Sequence, residues 1–110
     1  MEISVRDLAG ISAVKAFGAL NTNTAPGLQE NLEGLMAGGT TKILLNLEDV
    51  DFITSAGLRV LLLLAKRLRS AGGGLRACSP NETVREVFEI SGFCDLIMIA
   101  VDESEALAGF

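Results

Sequence analysis

The sequence contains no histidine, no tryptophan and no tyrosine, and its only cysteines are Cys78 and Cys94. Without histidine the chain cannot build a serine–histidine or cysteine–histidine nucleophile pair, a histidine general base or a zinc site of the usual ligand spacing. Both cysteines lie beside apolar residues, so we expect reduced thiols in the core, with a redox role as the alternative. These absences exclude many classes of enzyme.

Positive charge is also scarce, because nine Lys and Arg against fourteen Asp and Glu give a net charge of −5. Binding to nucleic acid needs a basic surface, so we do not expect it here. The longest apolar run, 60–65, is far shorter than the roughly 20 residues that span a bilayer. The first residues carry Glu2, Arg6 and Asp7 instead of the basic and then apolar stretches of a signal peptide. We expect a cytoplasmic protein without membrane insertion.

What the sequence has in abundance is apolar residues, which make up 49% of its 110 positions. That length and composition suffice for one hydrophobic core but not for two. No linker, internal repeat or low-complexity segment interrupts the chain. We therefore predict a single domain over residues 1–110.

The first half of the chain shows two strand patterns, a helix pattern and a third strand. Alternating apolar residues on both sides of the turn residues 7–10 predict an N-terminal β-hairpin. In 21–39, polar capping candidates, Pro26 and leucines at helical spacing predict a helix that ends at paired glycines. The nearly continuous apolar segment 42–47 predicts a strand that is covered on both faces.

The second half alternates helices and strands. A helix is predicted from about Ala56 to Ser70, and segments 75–79 and 96–101 predict strands. Between these strands, Ser79 and Glu82 have the spacing of a capping box, with Pro80 at the first helical position and Gly92 as the stop. Asp102 and Glu105 are placed to cap a short terminal helix.

The predicted order of elements is ββαβαβαβα. Strands that alternate with single helices pair in parallel through right-handed crossovers. The sequence thus predicts an α/β domain with a mostly parallel, mixed β-sheet, an N-terminal β-hairpin and helices packed on the sheet.

The carboxyl ends of parallel strands are where ligands and partners gather, and the loop 48–55 ends at such a position. Ser55 stands between a strand and a helix, so its oxygen can cap the helix by accepting the N–H of Gly57 or Leu58, at about 1 kcal/mol. A capping hydroxyl also lies at the surface, where a kinase could reach it. Both interpretations of Ser55 stay open, and Gly57 needs only a close-packing explanation.

The helix after Ser55 is apolar on one broad side, which must face the sheet. Leu63 falls on the opposite side, among Arg59, Lys66 and Arg67. A leucine among charges is a candidate for a protein-binding patch, although single exposed leucines are ordinary.

Three other patterns have simpler structural explanations. The glycines 72–74 suggest a phosphate loop by composition, but no Lys-Ser/Thr follows and they end a helix, which favours a turn. Glu48, Asp49 and Asp51 are candidate Mg²⁺ ligands, but a solvated loop explains them better, so we expect no metal site. The polar residues Asn21, Asn23 and Thr24 are candidates for ligand binding, and helix capping explains them more simply.

Four segments of the sequence carry a family resemblance. "FITSAGLRVLL", preceded by "ILLNLEDVD" and followed by "SPNETVREVFEISGF", resembles the STAS domains, and among them the bacterial anti-sigma factor antagonists. "GALNTNTAPGLQENL" resembles the segment that leads into the first helix of that family. The resemblance covers nearly the whole chain and implies the same order of elements.

The resemblance implies a function in partner switching. An unphosphorylated antagonist binds an anti-sigma factor that is also a serine kinase, and so releases a sigma factor. Phosphorylation of one serine breaks the complex, and a serine phosphatase restores it. The matching serine is Ser55, which makes this chain a substrate and binding partner, not an enzyme, with no cofactor of its own. The expected partner-binding residues are Asn21, Asn23, Thr54, Ser55, Ala56, Gly57, Arg59 and Leu63.

The chain departs from the family pattern at three positions. Phosphorylated members often have an aspartate where this chain has Thr54, and usually have aspartates in place of Asn21 and Asn46. If those carboxylates orient the hydroxyl or contact the kinase, phosphorylation here would be slower or lost, and Thr54 is a second candidate acceptor. Two alternatives therefore stay open: a STAS module that is never phosphorylated, within a signalling or lipid-transport assembly, and a small nucleotide-binding protein.

Overall fold

The computed structural model describes residues 1–92, 96–108 and 110. Within these residues the chain forms six strands and four helices. The strands are β1 (Glu2–Leu8), β2 (Ile11–Leu20), β3 (Lys42–Asn46), β4 (Val50–Ile53), β5 (Gly74–Cys78) and β6 (Met98–Ala100). The helices are α1 (Ala25–Ala37), α2 (Ser55–Ser70), α3 (Glu82–Ser91) and α4 (Glu103–Ala108).

Strands β1 and β2 form the predicted N-terminal hairpin. They pair antiparallel in an unbroken register that ends at Leu8 opposite Ile11. The two turn residues, Ala9 and Gly10, have positive φ angles of 53° and 89°. Two residues with positive φ are typical of a type I′ turn, whose twist matches that of the flanking strands.

The sheet is mixed and mostly parallel, as predicted. Its strand order is β1-β2-β3-β5-β6, and every neighbouring pair after the hairpin is parallel. Strand β4 lies off this path and pairs in parallel with the end of β2, where Leu20 is opposite Ile53. The prediction of a loop over 48–55 was wrong here, because β4 has only four residues and a short apolar pattern. The observed order is ββαββαβαβα, and the fold class is confirmed.

Both faces of the sheet are covered by helices. On one face, α1, α2 and α3 pack over the large apolar core that contains Ile43 and Leu45 of β3. On the other face, Leu44 packs with Cys78 and with Ala106 of α4. Alternate residues of β3 are thus buried on opposite sides, which confirms the strand covered on both faces.

The structure differs from two predicted helix N-caps, those of α2 and α3. Helix α2 starts at Ser55 and its N-cap is Thr54, so Ser55 is the first helical residue instead of the cap. Helix α3 starts at Glu82, and its N-cap is Asn81, whose side chain accepts a hydrogen bond of 2.8 Å from the N–H of Val84. The predicted capping box with Ser79 was wrong.

Ser79 does not cap α3 because it is held against the end of β6, where its hydroxyl donates to the carbonyl of Val101 over 3.3 Å. It has a positive φ of 58°, and its N–H donates to the carbonyl of Ala100 in β6 over 3.1 Å. Other predicted ends are confirmed: Gly92 terminates α3 with a φ of 74°, and the Asp102 carboxylate accepts a 2.9 Å hydrogen bond from the N–H of Glu105. The last strand is shorter than the predicted 96–101.

Cys78 lies fully buried at the end of β5 and carries a free thiol. Burial raises the pKa of this thiol, which keeps it neutral and unreactive at physiological pH. The prediction of a reduced core thiol is confirmed for Cys78, whereas Cys94 lies outside the described residues. Among the described helices, none has the length and apolar character that a membrane span requires.

Candidate functional site at the start of helix α2

The start of α2 is held against the end of β2 by backbone contacts. The N–H of Thr54 donates to the carbonyl of Leu20 over 2.9 Å, and the carbonyl of Thr54 accepts from the N–H of Leu58 over 2.9 Å. A Cβ atom on Gly57 would lie 2.6 Å from Cγ of Leu20 and 2.9 Å from its carbonyl oxygen. Only glycine fits this contact, which confirms its close-packing role. Gly57 is buried, so it would support a partner surface only through this packing.

Ser55 is exposed on the first turn of α2. The backbone N–H groups of a first helical turn have no partner within the helix, and the helix dipole places partial positive charge there. No acidic side chain occupies this turn. The hydroxyl of Ser55 therefore lies at a surface that is open to an enzyme and favourable to an anion.

The neighbouring hydroxyl, that of Thr54, is in a different environment. Its Oγ1 atom is buried and has no hydrogen-bond partner among the described residues. A kinase could reach this oxygen only after the start of α2 had moved. The geometry thus separates the two candidate acceptors in favour of Ser55.

Three exposed residues form a stripe along α2, which we call the α2 stripe: Ser55, Arg59 and Leu63. Their spacing of four residues places each one about 6 Å further along the same side of the helix. The Leu63 side chain is 46% exposed, which confirms the predicted outward face. The opposite side of α2 is buried and contains Leu58, Leu61, Leu64, Ala65 and Leu68.

Phe52 adds an exposed apolar group just ahead of Ser55. It lies in β4 and is 43% exposed, while Val50 and Ile53 in the same strand are buried. Sequence reasoning missed Phe52 because it did not identify β4, and an isolated phenylalanine is more often a core residue. The site thus has an apolar residue on each side of Ser55 along the chain.

The segment that contains Asn21 and Asn23 lies next to the start of α2, since Asn21 follows Leu20. The Asn21 side-chain oxygen accepts hydrogen bonds from the N–H groups of Asn23, over 2.9 Å, and of Thr24, over 3.1 Å. The Thr24 hydroxyl donates to the carbonyl of Ala19 over 2.7 Å. This Asx turn explains Asn21 and Thr24 structurally, and it leaves Asn23 exposed beside the site.

Asn46 is buried and is bonded to the carboxylate of Glu103. Its side-chain nitrogen donates to Oε1 of Glu103 over 3.1 Å, and its oxygen accepts from the N–H of Glu48 over 2.9 Å. Arg6 donates to the same Glu103 oxygen over 2.6 Å. The hydrogen bond from Arg6, followed by that from Asn46, holds the pKa of Glu103 below its usual value. An amide suits this position because an aspartate would face a second carboxylate.

A polar cleft of about 450 Å³ opens on the α4 side of the sheet. It is lined by Ser4, Arg6, Lys15, Asn46, Glu48, Ser79, Asp102 and Glu103. Its two cations are already paired: Arg6 contacts Glu103, and Lys15 lies 3.1 Å from a carboxylate oxygen of Asp49, whose hydrogen bond raises the lysine pKa. The cleft therefore gives little support to the nucleotide-binding alternative.

Two of the three acidic residues considered as magnesium ligands, Glu48 and Asp49, face the ammonium group of Lys15 instead. Glu48 lies 3.9 Å and Asp49 3.1 Å from the Lys15 ammonium. Across residues 1–92, 96–108 and 110, no group of three or more His, Cys, Asp or Glu side chains is arranged to hold a metal ion.

Comparisons with known proteins agree on one family. The family model of the STAS domain matches residues 2–108. The chain is 37% identical, over its full length and 95% of the relative, to BtrV of Bordetella bronchiseptica, a protein described as an anti-sigma factor antagonist.

Solved structures show the same fold. A Thermotoga maritima protein described as an anti-sigma factor antagonist superposes with a TM-score of 0.92 at 26% identity, over 97% of this chain and 92% of its own. The Bacillus protein SpoIIAA superposes in its unphosphorylated form with a TM-score of 0.81 at 24% identity, over 96% of this chain and 93% of its own. Its phosphorylated form superposes with a TM-score of 0.74 at 23% identity, over 97% of each chain. The chain belongs to the STAS domain family, and the relatives named above are described as anti-sigma factor antagonists.

Proposed function

We propose that this protein is a cytoplasmic anti-sigma factor antagonist that is switched by phosphorylation of Ser55. In this proposal the unphosphorylated chain binds an anti-sigma factor with serine kinase activity and so releases a sigma factor, and a serine phosphatase restores the binding state. The observation that carries the proposal is the exposed Ser55 hydroxyl at the first position of α2, in line with Arg59 and Leu63. The chain supplies a surface and an acceptor hydroxyl, and the partner supplies the catalysis.

The start of α2 can accommodate a phosphate without refolding. A phosphoserine carries a charge of about −1.5 to −2, which is stabilised at a helix N-terminus. The first turn has no acidic side chain that would repel it. Arg59 stands four residues further along the same side, where it can pair with the phosphate. We therefore expect the fold to stay the same in both states.

A partner that packs over the α2 stripe would respond strongly to the phosphate. The interface would have to desolvate two negative charges or separate from them. A difference of about 3–4 kcal/mol in binding free energy weakens a complex by a factor of a few hundred. The phosphate would also engage Arg59, which removes a cation from the binding surface. Both effects act at the interface and not on the fold.

The alternative proposal is a STAS module that binds a partner permanently. It is favoured by Thr54, Asn21 and Asn46, which replace the acidic residues that the resemblance leads one to expect. The Asn46 side chain is hydrogen-bonded to Glu103, and the Asn21 side chain to the backbone of its own turn. Because both side chains are neutral amides, neither supplies a negative charge beside Ser55. This alternative keeps the partner surface and removes only the switch.

Mass spectrometry of the protein from its native cells separates the two proposals. We expect a single phosphate that peptide fragmentation assigns to Ser55. The Ser55→Ala variant should lose this modification, while Thr54→Val, which keeps Ser55 and removes the buried hydroxyl, should retain it. Complete absence of phosphate, both when the sigma factor is active and when it is inactive, would exclude the switch. The permanently bound STAS module would then be the remaining proposal. A phosphate on Thr54 would contradict the assignment of the acceptor.

A further inference from the structure

Strand β1 is a long, exposed edge of the sheet. In the strand order of the described residues it has β2 as its single neighbour. Five of its seven residues are exposed, and the side chain of Val5 at its centre is 42% exposed. An edge strand offers unpaired backbone groups to a further strand, and proteins usually protect such edges.

The hairpin turn determines which backbone groups of β1 point outward. In a two-residue hairpin the residues that flank the turn, Leu8 and Ile11, form a hydrogen-bonded pair, and such pairs alternate along the strands. The even-numbered residues of β1 therefore bond to β2. The N–H and C=O groups of Ile3, Val5 and Asp7 point away from the sheet.

We propose that β1 pairs with β1 of a second copy of this chain, antiparallel and centred on Ser4. In this register Ile3 of one copy forms a hydrogen-bonded pair with Val5 of the other, as the outward backbone groups require. The two symmetric pairs contribute about four backbone hydrogen bonds. The same register places Glu2 of each copy opposite Arg6 of the other, on one face of the joined sheet.

Charge selects this register among the symmetric ones. Centring on Glu2, Arg6 or Asp7 would place like charges directly opposite each other, which is destabilising. Centring on Ile3 or Val5 leaves the charged residues without an opposite partner. Centring on Ser4 makes two ion pairs and no like-charge contact. The charges that would protect an edge against other strands are thus self-complementary.

The side chains of β1 are compatible with this pairing. Ile3 is half-buried against the core, so its outer part is free to cover Val5 of the second copy. Arg6 already bonds Glu103, but its side chain is 54% exposed. A guanidinium group has five donors and can serve two carboxylates at once.

A charge swap tests the proposal in the full-length chain. Sedimentation equilibrium should show a monomer–dimer equilibrium for the wild type. Glu2→Lys and Arg6→Glu should each weaken dimerisation about tenfold, because two attractive contacts become repulsive. The double variant Glu2→Lys/Arg6→Glu should restore it. Glu103→Gln is the control, since it removes the internal partner of Arg6 and should leave the dimer intact.

Cross-linking tests the register independently. The two Ser4 residues would form a pair without hydrogen bonds, with Cα atoms about 4.5 Å apart, within the range of a disulfide. Ser4→Cys should therefore form a covalent dimer on mild oxidation. Asp7→Cys is the matched control with the same native cysteines, because its two copies would lie about 20 Å apart.

Four results would overturn the proposal. A wild-type chain that stays monomeric up to millimolar concentration would exclude the dimer. Single charge reversals that leave dimerisation unchanged, or a double variant that stays monomeric while folded, would exclude this register. Equal cross-linking of Ser4→Cys and Asp7→Cys would exclude it as well.

Discussion

The substitution Ser55→Asp should separate the stability of the fold from its ability to bind. It places one negative charge at the first position of α2, where the structure shows an exposed side chain and no other acid in the first turn. The charge mimics part of a phosphate without requiring a kinase. We expect the variant to fold normally and to lose binding to the anti-sigma factor.

The expected change in stability follows from two local interactions. A carboxylate in the first turn interacts with the helix dipole by about 0.3–1 kcal/mol. Arg59, one turn further along, adds about 0.3–0.5 kcal/mol as a pair four residues apart. The variant should therefore be about 0.6–1.5 kcal/mol more stable, which raises the Tm of a domain of this size by about 3–6 °C.

Differential scanning calorimetry at low and high salt measures this effect, with Ser55→Asn as the control of similar shape and no charge. The gain should appear only for the aspartate and should shrink as salt screens it. A loss of several degrees would mean that Ser55 is not exposed at the start of the helix. A gain that persists at high salt, or that the asparagine reproduces, would refute the electrostatic explanation.

Four further predictions concern the surroundings of Ser55 and the Glu103 contact. In urea unfolding, Thr54→Val should leave the free energy of unfolding unchanged or raise it by up to about 1–2 kcal/mol, because it removes a buried hydroxyl that has no hydrogen-bond partner in the described part of the chain; a loss of similar size would show that the hydroxyl is hydrogen-bonded. Leu63→Glu should shift the Tm little and weaken partner binding in calorimetric titration, whereas Leu64→Glu should unfold the chain, and similar Tm losses in both would place Leu63 on the wrong face. Asn46→Asp should lose about 1–3 kcal/mol at neutral pH, and Glu103→Gln should restore most of it, since it removes the opposing carboxylate. The pKa of Glu103 is lowered in the fold by its hydrogen bonds from Arg6 and Asn46. As the pH falls below the ordinary glutamate pKa of about 4.3, the wild type should therefore lose the contribution of these hydrogen bonds to the free energy of unfolding, and Glu103→Gln should abolish that loss.

Periodic patterns in the sequence predicted most of the fold. The helical spacing in α2 identified its buried side and the outward position of Leu63, because a three-layer packing leaves only one side of a helix to the solvent. The continuous apolar run in β3 correctly indicated a strand buried on both faces. These features depend on many residues at once, so local exceptions do not hide them.

The errors came from single residues and short segments. Strand β4 has four residues and pairs with the end of β2, through residues that lie 32 and 33 positions apart in sequence. The N-cap of α3 is Asn81 and not the predicted Ser79, because the backbone N–H of Ser79 is hydrogen-bonded to the neighbouring strand β6. Local sequence cannot show such tertiary contacts.

The candidate site was predicted in part. The position of Ser55 at the start of a helix followed from the sequence, and the close packing expected at Gly57 is confirmed, with Leu20 as the neighbour. The buried hydroxyl of Thr54 and the exposed ring of Phe52 needed the structure, since both depend on how β4 approaches α2. The bond between Asn46 and Glu103 joins residues far apart in sequence and explains an amide where the family resemblance leads one to expect an acid.

In the proposed switch, a charge on one hydroxyl controls docking while the domain stays unchanged. Isothermal titration of the cognate anti-sigma factor with the unmodified chain and with the chain phosphorylated at Ser55 tests it directly. We predict tight binding by the first and an affinity lower by a factor of a few hundred for the second, with equal melting behaviour or a slightly higher Tm on phosphorylation. Equal affinities for the two forms would exclude control of docking by phosphorylation of Ser55.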